Sequence, residues 1–549
     1  MEDNEESKFG GKTYFNTTLK WAAFLCIPEN SSTFEVKKTD YSVSMNEPRS
    51  NIFTGWMLCL ISLLFCFPAY SKELNPTQTV YISSSWGDDR NDGSISSPKK
   101  TLSGLPENLR RNTRVLLKKG DVFYENLSRF DSCIITSYDS GEAPLICGFR
   151  KLKSNTHWEK ESANVWKVDL FQEDHFSGYP MPAGDSKWLC NNIGFMYDET
   201  NDTLYGRLVR QKNLLEKRWD LFTSESNKPD QMFRFVYIFH EDPRSESGTF
   251  CFPVYEYGMT DLTHCHISHI SVQGFSMHGI SNLNDCLVEN CAVDLIGGAI
   301  FPDKTLDWFR FGNGIEFWIE DEGSSANNNT VSHCWISRVY GCGASLQGTN
   351  ASTNAVSNKF KSNVFYYCRH AFETLLEGVR GVDYIDCEFV GNICYNMTRN
   401  GFDCPEEWDA NIYSDEKAVH KSRIKVYNNF FWGSDHIFMD SKFTALDMKF
   451  NVVFLYRGQF LNKFYGNYKA FRANAFLETN KYHEAFKSKD YVYIMNPEDT
   501  KNKSIQDYHA FLNVYFSQIN IRHLPDFQGL DNSLQMLRYI AGQRESFEF

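Results

Sequence analysis

Five short segments place a polar residue directly after an apolar one: Gly-Ile-Glu316, Ser-Leu-Gln347, Ala-Phe-Glu373, Gly-Phe-Asp403 and Phe-Met-Asp440. Paired carboxylates are what hydrolysis of a glycosidic bond asks for, one protonated to assist departure and one ionised to activate water. Close carboxylates repel, so the pKa of one rises and the two become available as an acid/base pair. If these segments are strands stacked at about 4.8 Å, they form a ladder along one face. Residues two coils apart then stand near the separation that admits a water in an inverting glycosidase. The expected catalytic pair is Glu316 and Glu373, with Asp403 and Asp440 as substitutes and Gln347, His370, Arg399 and Trp318 as substrate-holding groups. The competing expectation is a solvated polar ladder that closes a coil without chemistry.

A second acidic group, Glu320, Asp321 and Glu322, follows Trp318 and offers hard oxygen ligands that suit Ca²⁺, although a charge run is more often simply solvated. Hydrolysis itself requires no cofactor. Arg399 or Lys425 near Asp403 would suit elimination from a uronide, which needs a base and a positive charge. A face so rich in Glu and Asp repels a polyuronate, which favours hydrolysis of a neutral or weakly charged glycan.

The elements that must position these residues repeat. Between His264 and Val453 similar segments begin at Ile267, Leu287, Val331, Val356, Val382, Ile424 and Leu446. With His269, Asn290, His333, Asn358, Asp386, Asn428 and Phe450 as equivalent anchors, the intervals are 21, 43, 25, 28, 42 and 22 residues. Such a period signals stacked units, and alternation of apolar and polar residues selects strands. No unit can bury its own apolar side chains, so the expected fold is all-β, a parallel β-helix with one continuous core. Right-handed connections are strongly preferred. The two long intervals predict protruding loops, Phe301 to Gly312 and Cys404 to Ser422.

A net charge of −13 and a pI near 5.6 exclude the basic footprint of a nucleic-acid binder. Phe53 to Phe67 is an apolar block with Arg49 before it and Ala69 and Ser71 after it, the outline of a signal peptide cleaved before Lys72. The expectation is a secreted or cell-envelope protein, with membrane contact only through this segment if it stays uncleaved. Met45 is an alternative start. Of sixteen cysteines, three lie at or before the apolar block, which leaves an odd thirteen, and no CxxC pair occurs. Mostly free thiols buried in narrow coils are expected.

From Val80 to Leu102 a strand, an Asn-Asp-Gly-Ser loop and a Pro leading to a Thr resemble the opening of secreted pectin-lyase-like right-handed β-helix proteins of the bacterial carbohydrate-active type. The resemblance continues through VLLKKGDVFYENL at Val115, IITSYDSGEAPLICG at Ile134 and GNGIEFW at Gly312. It implies a β-helix over about 78–465 and a polysaccharide or oligosaccharide partner. It does not choose among that family's lyases, hydrolases, epimerases and binding proteins. Residues 149–261 break the repeat and are expected to form a β-rich excursion, 1–71 an extension with signal peptide, and 466–549 a partly helical cover for the last coil. The functional expectation is an enzyme, a glycoside hydrolase. The alternatives are a calcium-assisted polysaccharide lyase and a non-catalytic glycan-binding β-helix.

Overall fold

The computed structural model describes residues 74–176, 193–223, 234–300, 310–321, 323–378, 381–395, 397, 401–402, 409–414, 416, 419–432, 436–440, 445–449, 451–456, 460–462 and 491–495. The chain divides into Met1–Tyr70 and Ser71–Phe549, and every described residue belongs to the second unit. The signal-peptide reading and nearly all of the expected C-terminal cover lie outside the described residues. So do Glu322, Arg399 and Asp403.

The chain is an all-β parallel β-helix. On its first face Gln78–Ile82, Thr113–Lys118, Ile134–Tyr138, His266–Ser268, Leu287–Glu289, Thr330–Ser332, Lys359–Lys361, Glu388–Val390, Ile424–Tyr427 and Leu446–Lys449 pair in that order, all parallel. Register aligns one inward column, Val80, Val115, Ile135, Ile267, Val288, Val331, Phe360, Phe389, Val426 and Met448, all buried. This is the continuous core that no single coil could make. The second face runs from Val122–Phe123 through Leu145–Cys147, Ser271–Phe275 and Ala292–Ile296, and the third from Leu127–Asp131 through Tyr257–Thr263, His278–Ser281 and Ile315–Trp318. Trp335–Ala351 and Val364–Gly378 each cover both faces in one bent strand.

Polar residues and one glycine in the left-handed region turn the chain at both ends of the first face. Asn112, Ser132, His264, Asp285, Asn328, Ser357 and Asp386 precede it, and His269, Asn290, His333, Ser362, Gly391 and Asn428 follow it. Two of the expected anchors were therefore misplaced. Register makes Ser362 and Gly391 the equivalents of His333, while Asp386 and Asn358 belong to the opposite corner. Both corners carry a left-handed polar residue followed by a buried Cys or Asn, so the sequence shows the same signature twice per coil.

That Cys or Asn has a defined task. Asn392 accepts from the Asn363 N–H at 2.9 Å, donates from its amide to the Phe360 carbonyl at 3.0 Å, and gives its own N–H to Asn429 Oδ1 at 2.8 Å. Each bond satisfies a main-chain group that has no access to water. Where Cys stands instead, the thiol donates to a carbonyl, as Cys334 does to Ser332 at 3.3 Å. Every described cysteine is a buried free thiol. Asn392→Ala strands two buried main-chain groups and should cost about 1–3 kcal/mol per unsatisfied group in urea unfolding, with the far-ultraviolet spectrum unchanged.

The excursion interrupts a single coil, leaving after the second-face strand Leu145–Cys147 and returning at the third-face strand Tyr257–Thr263, so it ends before residue 261. It holds two antiparallel four-stranded sheets: Phe149–Lys151, Met196–Asp198, Thr203–Tyr205 and Phe250–Pro253 in one, and Glu159–Lys160, Val165–Asp169, Leu221–Thr223 and Phe235–Phe239 in the other. The buried Arg338 guanidinium joins it to the solenoid, between Asp294 on the second face and Asp202 in the excursion. A parallel strand at Tyr491–Met495 extends the second face beyond residue 465, where the sequence period fades.

Candidate active site

The third face bends sharply where it begins, and glycines permit this. A Cβ on Gly279 or Gly314 would sit 2.6 Å from the carbonyl oxygen of the equivalent glycine on the next coil. The close approach sets two columns of side chains next to each other. Behind the first lie buried Ile315, Ala344, Phe372 and Ile412, and the residue after each faces outward: Glu316, Ser345, Glu373 and Tyr413, in one register. Ser281 precedes Glu316 in that column. The second column runs Tyr257, His278, Asn313, Cys342 and His370.

Sequence expectation and structure agree that Glu316 and Glu373 share a column two coils apart, with Ser345 between them. Two strand spacings put their Cα atoms about 10 Å apart. The Glu316 side chain is 15% exposed, and burial pushes its carboxyl up to about 7 against the opposing bond from Asn313. The Glu373 carboxyl is also raised, by burial and by the charge of Glu316, while Cys342, Arg369 and Gln347 pull it back down. His278 lies 3.0 Å from Glu316 through Nε2, and burial holds its pKa down to about 3. Asn313 Nδ2 reaches Glu316 Oε1 and Ser345 Oγ, both at 3.2 Å. Cys342, buried beside both carboxylates, has its thiol pushed far up. His370 stacks on Tyr413 with ring centroids 5.1 Å apart.

The other expected residues fall less simply. Gln347 is in register with Trp318 rather than with Glu316, although its side chain reaches Glu373. Trp318 gives its indole N–H to Glu320 at 2.8 Å. Asp440 pairs with Ser414, one position away from the Glu373 register. Asp321 accepts from Ser352 at 2.6 Å, and among the described residues no three His, Cys, Asp or Glu groups gather in a way that could hold a metal ion.

Tyr257, His278, Asn313, Cys342, Ser345 and Arg369 were not singled out from sequence. Their location has a signal all the same. The excursion, the loop after Ile296 and the segment after Tyr395 all leave the solenoid between its second and third faces. Insertions gathered on one side of a repeat protein are often on its binding side. These elements also meet there: Arg310 donates to the Gly194 carbonyl at 2.8 Å, Phe402 packs edge-on against Phe195 and Tyr340, and Phe311 packs edge-on against His278.

Placing a carboxylate in such a site costs stability. The folded pKa of Glu316 lies above its unfolded value, so its burial is neutral while the group is protonated and becomes unfavourable as pH rises from about 4.5 through about 7. Glu316→Gln should therefore stabilise the fold at pH 8 by up to about 3 kcal/mol and leave stability nearly unchanged at pH 4.5, as thermal melts at the two pH values would show.

No protein-family model matches the sequence, and no curated protein matches it. Solved structures do. A complex of XylC with xylose aligns at 10% identity over 76% of this chain and 82% of that chain, with a TM-score of 0.38. A glycoside hydrolase aligns at 10% identity over 76% and 95%, TM-score 0.36. The pectate lyase Pel9A aligns at 10% identity over 77% and 78%, TM-score 0.31. Hydrolase and lyase both appear among these names.

Proposed function

We propose that this chain is an exported enzyme that hydrolyses a neutral or weakly charged glycan, with Glu316 as general acid and Glu373 as general base. One observation carries the reading: two carboxyls stand in a single register column two coils apart, both only partly exposed and both displaced upward in pKa. Their environments differ in the direction the roles require. Glu316, with a pKa near 7, keeps a proton to give to the departing glycosidic oxygen. Glu373 is held toward ionisation by Arg369, Gln347 and Cys342 and takes a proton from the water that attacks the anomeric carbon. The spacing leaves room for that water, so the product anomer should be inverted.

Purified protein on a panel of polysaccharides should release new reducing ends without the ultraviolet absorbance of an unsaturated product, and a chelator should not change the rate. Unsaturated products lost on adding a chelator would instead establish a calcium-assisted lyase. Binding without any cleavage would establish a glycan-binding β-helix. Export has its own check: the protein recovered from the cell envelope or medium should begin near Lys72, and an intact chain confined to the cytoplasm would overturn it.

A further inference from the structure

The groups around Glu316 hold more information than its register, because two of them have fixed hydrogen positions. The Asn313 backbone N–H lies 3.1 Å from His278 Nδ1 and can only donate, so Nδ1 carries a lone pair and the ring proton is on Nε2. Nε2 is the atom 3.0 Å from Glu316 Oε2 and is therefore the donor of that contact. The Asn313 amide is oriented by the same reasoning. Its Oδ1 accepts from the Cys342 N–H at 3.1 Å, which leaves Nδ2 to donate to Glu316 Oε1. Each carboxyl oxygen of Glu316 thus faces a donor whose direction is set by a main-chain N–H on a neighbouring coil.

We infer that His278 is a positioning residue which, locked as the neutral Nε2–H tautomer, aims the Glu316 carboxyl and stabilises its ionised form, without serving as an acid or base itself. The inference deepens the reading of Glu316 as proton donor and rests on it for its meaning in catalysis. The ring has no freedom to turn: it stacks against Tyr257 at 5.7 Å, Phe311 packs on it edge-on at 5.6 Å, and its side chain is 4% exposed. Charging it would require a proton on Nδ1, which would expel the Asn313 N–H from this hydrogen bond. The titratable neighbours of Glu316 are His278 on the preceding coil, Tyr257 two coils before, and Cys342 and Glu373 on the following coils, with Arg369 acting on Glu373. His278 is the one that donates to Glu316. As the acid releases its proton, the imidazole N–H holds the carboxylate that forms, in the orientation needed to be protonated again.

The test needs no knowledge of the sugar. Infrared difference spectra of the wild type against E316Q isolate the Glu316 carboxyl and follow its titration. In H278F, which keeps a ring between Tyr257 and Phe311 but removes the donor, the midpoint should rise by about one pH unit or more, the size of a lost hydrogen bond to a charged group. In H278Q, whose amide N–H can reach the same oxygen, it should stay within about half a unit of the wild type. Nitrogen chemical shifts of the wild-type His278 ring, assigned by their loss in H278Q, should show a neutral Nε2–H tautomer from pH 5 to 8, and this holds as a test even if H278F does not fold. An unchanged midpoint in H278F, or a ring that charges near the ordinary histidine value, overturns the inference. Absence of glycan cleavage alongside the expected titration shifts would instead remove the proposed reaction and leave the positioning role standing.

Discussion

Glu373→Gln should lower glycan hydrolysis by about 10²- to 10⁴-fold, the range that a positioned general acid or base supplies. The substitution keeps volume and planarity and retains an acceptor for Gln347 and Cys342, so circular dichroism and thermal stability should not fall with the activity. Glu316→Gln should produce a loss of the same order with a different pH signature. In the wild type, activity should decline as pH rises through about 7, where Glu316 loses the proton it must donate. Its acidic limb should follow protonation of Glu373. If the two variants act on one bond-breaking step, combining them should cost less than the product of their separate effects, because a unit disabled once cannot be disabled again.

The second large effect is on stability. Glu416, wholly buried, accepts hydrogen bonds from the Leu376 N–H at 3.1 and 3.2 Å, from the Tyr384 hydroxyl, and from His420 Nε2 at 3.1 Å. His420 Nδ1 faces the Val382 carbonyl at 2.9 Å and must donate to it. Both ring nitrogens therefore act as donors, which is the charged form of histidine. Burial opposes that charge, yet the bond and charge of Glu416 and the Val382 bond leave the His420 pKa raised. Glu416→Ala removes the partner of a buried cation and the acceptor of the Tyr384 hydroxyl, at a cost of about 3–5 kcal/mol, to be read from the urea midpoint. The sign with pH follows from the raised value. This contribution is complete below the unfolded histidine pKa of about 6.5 and is lost as pH rises through the folded pKa. The gap between wild type and Glu416→Ala should therefore be wide at pH 6 and narrower at pH 9.

The parallel β-helix was legible because its cause is local and repeated. Alternation at Ile267, Leu287 and Val331 marks strands, and their spacing marks coils. The register of Glu316 with Glu373 was legible for the same reason, since both follow an inward apolar residue at the same distance along a coil. Register failed where the sequence offers two equal solutions. Asp386 and Gly391 are both left-handed turn residues within one coil, and only the pairing of Lys361 with Val390 shows that Gly391 matches Ser362. Asp440 lies one position off the register of Glu373, pairing with Ser414 rather than with Tyr413. The second column was hidden for a different reason. His278, Asn313 and Cys342 share no residue type, and what unites them is the glycine bend that brings their coils together. His278 and Asn313 lie 35 residues apart because a loop separates their strands, so no fixed spacing could announce the contact.

The most direct test of the account is the stereochemistry and residue dependence of cleavage on one glycan that the panel shows to be cut. Proton magnetic resonance of the first product formed should show the inverted anomer, with the signal lost in both Glu316→Gln and Glu373→Gln while the two variants remain folded. A retained anomer, an unsaturated product, or full activity in either variant would contradict hydrolysis by this pair.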